Sequence, residues 1–210
     1  MSSRWRQFAA IAAAVVVADQ ATKLLAVEHL TYATQFAGAK SLPAALHAFL
    51  TERDLSERGL TGEPITVFRS WFSLRYVQNR GAAWGILTWL PQGARIPFFI
   101  VVVLVASAFI LSTYRKLEPG QRLQRLALPL ILGGAIGNNL LDRPRLGYVV
   151  DFIDWHWRDP LYLDYARHWP TFNVADVGVS VGVSLLLLES LLVKRAARGN
   201  RVAVAAPSKR

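Results

Sequence analysis

Asp176 opens the apolar run FNVADVGVSVGVSLLLLESLLVKR (172–195), which is long enough to cross a bilayer. A carboxylate in such a run is costly in hydrocarbon. It marks a functional site, or a helix start that favours negative charge. Other polar residues sit in similar places. Asp19 and Lys23 lie in the first apolar run at i, i+4, the spacing of an ion pair on one helical face. Asn138, Asn139, Asp142 and Arg143 end the third run, and Asp151 follows. Asn173 precedes Asp176 by three residues, and Asn79 lies in a polar stretch. These residue types can transfer protons, relay ions, or only cap helices and form pairs. Cysteine is absent, which excludes disulfides, thiolate metal ligands and a Cys nucleophile. His156 and His168 stand in a Trp-rich stretch and read as interfacial packing. Asp154, Asp159 and Asp164 read as solvated loop acids. No metal and no cofactor is expected.

The elements that must position these residues are membrane spans. The 210-residue chain is 53% hydrophobic with mean hydropathy +0.28, and its apolar residues are bunched. Spans are predicted at about 7–27, 96–114, 123–141 and 174–193. The first has the arginines, apolar run and Val-x-Ala site of a secretory leader. With three further spans, a retained first helix is the more economical reading. Arg4 and Arg6, the 115–125 link and the segment after 194 carry basic residues, and all fall on one side if four spans alternate. The positive-inside bias then puts both termini in the cytoplasm and the segments 28–94 and 143–172 outside. The net charge of +10 fits that bias, and with no basic stripe interleaved with aromatics, nucleic acid is not an expected partner.

In the outer segment, 41–59 reads as a short helix, with Ser41 as N-cap and Pro43 in the first turn. Leu42, Leu46, Phe49 and Leu50 are expected to share its face. The stretches 65–79 and 147–157 read as strands of a small extracytoplasmic sheet. Trp71, Phe72, Tyr76 and Trp84 belong to it or flank it. The expected fold is α-helical and membrane-embedded: one domain, 1–198, with a disordered basic tail over 199–210. Glu189, deep in the fourth span, calls for a partner or an inner-leaflet position.

With four spans, Asp19, Lys23, the 138–143 cluster, Asp151, Asn173 and Asp176 all converge on the outer interface. The blocks DQATK (19–23), NRGAAWG (79–85), GNNLLDR (137–143), GYVVDF (147–152) and FNVAD (172–176) resemble, in order, those of signal peptidase II, the lipoprotein signal peptidase family. The resemblance covers about residues 5–195. It implies an aspartic endopeptidase of the bacterial inner membrane with its site at the extracytoplasmic face. The substrate it implies is a diacylglyceryl-modified prolipoprotein, cleaved just before the lipidated Cys, with membrane lipids as the other partner. It makes Asp151 and Asp176 the catalytic pair. Asp19, Lys23, Asn79, Gly81, Asn139, Arg143, Asn173 and Ala175 would support the pair or the substrate. Asn139 is preferred to Asn138 because i, i+3 puts it on the face of Asp142 in an α-helix.

Two carboxylates sharing a site suit peptide hydrolysis without metal: the ionised member takes a proton from water, and the protonated one donates to the scissile carbonyl. A proton-coupled transporter or a non-catalytic scaffold remains the alternative. Transport sites usually lie nearer the midplane.

Overall fold

The structure is a computed structural model that describes residues 2–34, 41–81, 86–158 and 166–205, with the side chains of 158, 166 and 195–205 excluded. Three helices are long and apolar enough to cross a membrane: α1 (Ser3–Leu30), α3 (Gln92–Lys116) and α6 (Val174–Ala205) over its Val174–Lys194 part. A fourth, α4 (Arg122–Ile136), continues into a π-helical segment, Gly137–Asp142, and the one-turn α5 (Arg143–Leu146). The predicted spans lie inside these elements, each helix extending a few residues further. α6 runs on to Ala205, so 199–205 is helical where a disordered tail is predicted.

α4 is the hub, packed between α1 and α6, and glycine permits the close approach. A Cβ at Gly133 would stand 2.7 Å from the Ala12 carbonyl oxygen, and one at Gly134 would collide with the carbonyl of Ala175. α3 turns Phe99, Val103, Ile110 and Tyr114 inward and leaves Val101, Leu104, Val105 and Phe109 exposed. An apolar outer face of that length suits lipid rather than water. At the end near the N-terminus, Phe8 and Tyr114 pack at 4.5 Å and the Tyr114 hydroxyl donates to the Arg4 carbonyl. There Glu189 finds its partner: its Oε2 accepts from the backbone N–H of Gln124 at 2.8 Å. A side chain of α6 thus satisfies one of the orphan donors at the start of α4.

At the other end lies a four-stranded antiparallel sheet in the order β1 (Ile65–Phe68), β2 (Phe72–Asn79), β3 (Val149–Arg158), β4 (Ala166–His168). The predicted strand at 65–79 is thus a hairpin, broken at 69–71, and β4 is additional. Gly147 adopts φ +86° and returns its N–H to the Arg143 carbonyl, ending α5 and turning the chain into β3. Tyr76, Tyr148 and Val150 pack with Val27 and Leu30 of α1 and with Phe49 in the core beneath the sheet.

α2 (Leu42–Thr51) starts as predicted, its Ser41 Oγ accepting from Ala44 N–H at 3.4 Å, but ends at Thr51 instead of running toward 59. Its face differs too. Ala45, Ala48 and Phe49 are buried, whereas Leu42, Leu46 and Leu50 are exposed. The predicted stripe was split because the core beneath accepts small residues plus one ring.

Candidate active site

Asp176 stands in the first turn of α6, behind Asn173. The pair cap each other: Asn173 Oδ1 accepts from Asp176 N–H at 3.0 Å, and Asp176 Oδ2 accepts from Asn173 N–H at 3.1 Å. This reciprocal arrangement satisfies orphan donors at the helix start. The capping role foreseen for Asp176 is therefore real, and it leaves Asp176 Oδ1 to accept from Asn138 Nδ2 at 2.9 Å.

Asp151 lies on β3 opposite Val77 of β2, and is 1% exposed. Asn79, two residues along β2 on the same face, donates from Nδ2 to Asp151 Oδ2 at 3.0 Å. Asn173 Nδ2 donates to Asp151 Oδ1 at 2.7 Å. One residue therefore holds both carboxylates: Asn173 binds Asp151 through its side chain and Asp176 through its backbone. Burial, and next the charge of Asp176, push the Asp151 carboxyl up from 3.8 to about 7.

Behind the pair is a second polar layer. Lys23 is fully buried and its Nζ meets Asp19 Oδ2 at 2.8 Å, Asp142 Oδ2 at 2.7 Å and Asn138 Oδ1 at 2.7 Å. The predicted Asp19–Lys23 pair is present, but as two members of a buried three-charge cluster. Gln20 Nε2 ties Asp19 Oδ2 to Asp142 Oδ1, both at 3.0 Å. Asp19 Oδ1 accepts from Ala175 N–H at 3.1 Å, which gives Ala175 a backbone role. A Cβ at Gly137 would stand 2.6 Å from Asp19 Oδ2, so a side chain there would push that carboxylate aside. Asn138 Oδ1 also accepts from Asn173 Nδ2 at 3.0 Å, which joins the two layers.

Arg143 clamps the turn after β2. Its Nη2 donates to Gly81 O at 2.6 Å, its Nη1 to Arg80 O at 3.2 Å, and its plane covers the Phe99 ring at 3.9 Å. Burial pulls its guanidinium down to about 10, so it remains charged near neutrality. Gly81 N–H donates in turn to Asn79 Oδ1 at 3.1 Å. Arg143 and Asp142 are both buried, not turned out to the interface.

Asn138 and Asn139 take different places. Asn138 reaches Asp176, Lys23 and Asn173, while Asn139 Oδ1 accepts from Arg143 Nε at 2.9 Å. The i, i+3 argument assumed α-helical pitch, and the segment is π-helical. The wider turn brings residues four apart, Asn138 and Asp142, to the same lysine. Gln20 was missed as a site residue, and Asp142, seen in the 138–143 cluster, was given no role in the site. The signal for Gln20 was its place between Asp19 and Lys23 in DQATK.

Other predicted residues fall elsewhere. Asp154 is buried in β3, not solvated, and His168 Nδ1 lies 2.8 Å from its Oδ1. Tyr76 is buried and shares a 3.3 Å hydrogen bond with Tyr148, whereas Trp71 is exposed and stacks on Phe68 at 4.8 Å. Trp84, Asp159 and Asp164 lie outside the described residues.

Long apolar helices, a sheet at one end of them, and two buried carboxylates joined through one asparagine define a class: an integral membrane protein equipped for two-carboxylate chemistry. Residues 11–192 match the model of the Signal peptidase (SPase) II family. A lipoprotein signal peptidase of Anaeromyxobacter sp. (strain Fw109-5) is 43% identical over 186 residues, 89% of this chain and 85% of that protein. One from Geobacter metallireducens is 38% identical over 195 residues, 93% and 96% of the two chains. A bacterial membrane enzyme solved by the in meso method at 2.3 Å shares the fold, with TM-score 0.59 at 24% identity, covering 97% of this chain and 93% of that one. The chain belongs to the signal peptidase II family, whose members are aspartic-type peptidases.

Proposed function

We propose that this protein cleaves the signal peptide from diacylglyceryl-modified prolipoproteins, just before the lipidated Cys, with Asp151 and Asp176 as the catalytic pair. Asn173 carries the reading, because one side chain and its own N–H hold both carboxylates at one place. Titration belongs to the pair. With Asp151 near 7, the pair keeps a proton close to neutrality. The ionised carboxylate takes a proton from water as the oxygen attacks the scissile carbonyl carbon. The protonated carboxyl donates to the carbonyl oxygen. Collapse of the tetrahedral species breaks the C–N bond, and the departing nitrogen takes a proton from the pair. Asn79, Asn138 and Asn173 orient the carboxylates. Lys23, Asp19, Asp142 and Gln20 fix the helices behind them, and Arg143 fixes the turn at Gly81.

The setting is a bacterial inner membrane crossed four times, both ends of the chain in the cytoplasm, by one membrane-embedded domain. α4 and its π-helical continuation, 15 and 6 residues, make a fourth span of about 30 Å at 1.5 Å per residue. The basic Arg4, Arg115 and Lys116 lie at the end opposite the carboxylates, which supports an extracytoplasmic site. A substrate anchored by its own acyl chains and signal helix meets the pair where the spans end.

The test is cleavage of a lipidated peptide by Asp151→Asn and Asp176→Asn. Each is expected to lower kcat by at least about 10²–10⁴-fold with the protein still folded. A folded variant that cleaves at the wild-type rate would sink the assignment.

A further inference from the structure

On the sheet face opposite the carboxylate pair lies a second cluster, of different chemistry. Asp154 follows Asp151 by three residues on β3, so the two side chains leave opposite faces. His156, two residues further, shares the face of Asp154, and its direct cross-strand partner on β4 is His168. One carboxylate oxygen and one nitrogen of each ring lie within 4.8 Å of one another. The rings are 5.4 Å apart, tilted at 38°.

An Asp–His ion pair alone accounts for part of this. His168 Nδ1 lies 2.8 and 3.0 Å from the two Asp154 oxygens. It does not account for His156, whose Nδ1 is shielded from solvent and has no hydrogen-bond partner among the described residues. Nor does it require Asp154 to be 2% exposed. Arg75 is a nearby cation whose Nη2 stands 3.6 Å from Asp154 Oδ1, too far for a good hydrogen bond. A buried carboxylate beside two imidazoles is a metal-type ligand set.

We propose that Asp154, His156 and His168 form a binding site for a divalent transition metal, with zinc as the best match. Two imidazoles and one carboxylate are a zinc-type donor set that leaves a fourth position open to water. Metal–ligand distances of about 2.0–2.2 Å require the three donor atoms to close in by about an ångström, within reach of side-chain rotation on paired strands. The bound ion staples β4 to β3, the strand that carries Asp151.

The test uses the full chain in detergent, untagged, stripped of metal and titrated with zinc or cobalt. The expected result is one zinc per chain, and visible ligand-field bands of a low-symmetry site with Co²⁺. His156→Gln, His168→Gln and Asp154→Asn should each weaken zinc binding by at least the roughly 10–100-fold that even an outer-shell partner is worth. The double variant His29→Gln/His47→Gln should bind as wild type. A wild-type protein binding no more zinc than His156→Gln/His168→Gln would overturn the proposal. A second measurement needs no variant: zinc should protect His156 and His168, but not His29 or His47, from diethylpyrocarbonate. Equal modification of all four with and without zinc would equally refute it.

Discussion

Replacing Asn138 by alanine should harm the enzyme far more than replacing Asn139. Asn138 donates to Asp176 Oδ1 at 2.9 Å and accepts from Lys23 and Asn173 at 2.7 and 3.0 Å. Truncation removes a hydrogen bond to a carboxylate and leaves a buried ammonium one acceptor short. Hydrogen bonds to charged groups are worth about 1.5–3 kcal/mol. If that stabilisation orients Asp176 in the transition state, its loss lowers kcat/KM by about 10–150-fold. Among the described residues Asn139 touches the site only through Arg143 Nε, and Arg143 keeps its bonds to Arg80 O, Gly81 O and the Phe99 ring. Asn139→Ala should therefore cost less than about tenfold. The assay is steady-state cleavage of a fluorogenic lipopeptide in detergent micelles, with unfolding in SDS as a check on stability. Asn138→Asp supplies a control, since it keeps the shape but puts an acceptor where Asp176 needs a donor. If Asn139→Ala is the more damaging of the two alanine variants, the π-helical placement and the reasoning built on it are wrong.

The pair's proton sets the pH behaviour. With Asp151 at about 7, kcat/KM should fall as pH rises through about 7, and a pH–rate profile flat from 6 to 9 would contradict this. Between 3.8 and about 7 the folded chain binds the proton more tightly than the unfolded chain. The stability associated with this carboxyl is therefore fully present below 3.8 and lost as pH rises through about 7, by about 4 kcal/mol at most. Asp151→Asn should abolish that slope in SDS unfolding measured across pH. Lys23→Ala should destabilise the protein by about 3–5 kcal/mol, because it strands the buried Asp19 without its cation and leaves Asp142 with the longer contact to Arg145 Nη2 at 3.4 Å. Adding Asp142→Asn to it should recover part of the loss, and strictly additive losses in the double variant would refute the three-charge cluster.

Much of the fold could be read from local pattern. The four apolar runs predicted the four helical elements, since a membrane span is specified by length and composition alone. Ser41 and Pro43 marked the start of α2 because capping is a local transaction. The i, i+4 spacing of Asp19 and Lys23 foretold their contact for the same reason. Asp151 and Asp176 were legible as candidates through the order of the blocks they belong to.

What escaped depended on neighbours brought by the fold. The π-helical turn at 137–142 changed which asparagine faces the site, and no pattern in GNNLLDR distinguishes that pitch from an α-helix. Asp142 had no assigned partner until Lys23 and Gln20 arrived from α1, more than a hundred residues earlier. Glu189 had no rationale until the start of α4 met it. His156 and His168 looked like two interfacial rings until β4 paired with β3 and set them beside Asp154.

By itself the sequence determined that this chain belongs in a membrane, where its helices run, and which acids stand where the spans end. Those properties follow from composition and from spacing along a single segment. Only the tertiary structure decided that Asn173 joins two carboxylates, that Lys23 pairs with two more, and that Asn138 rather than Asn139 links the layers. Each of those contacts is made by groups from different elements, and its geometry depends on how α4, packed through glycine against α1 and α6, sets the distance between them.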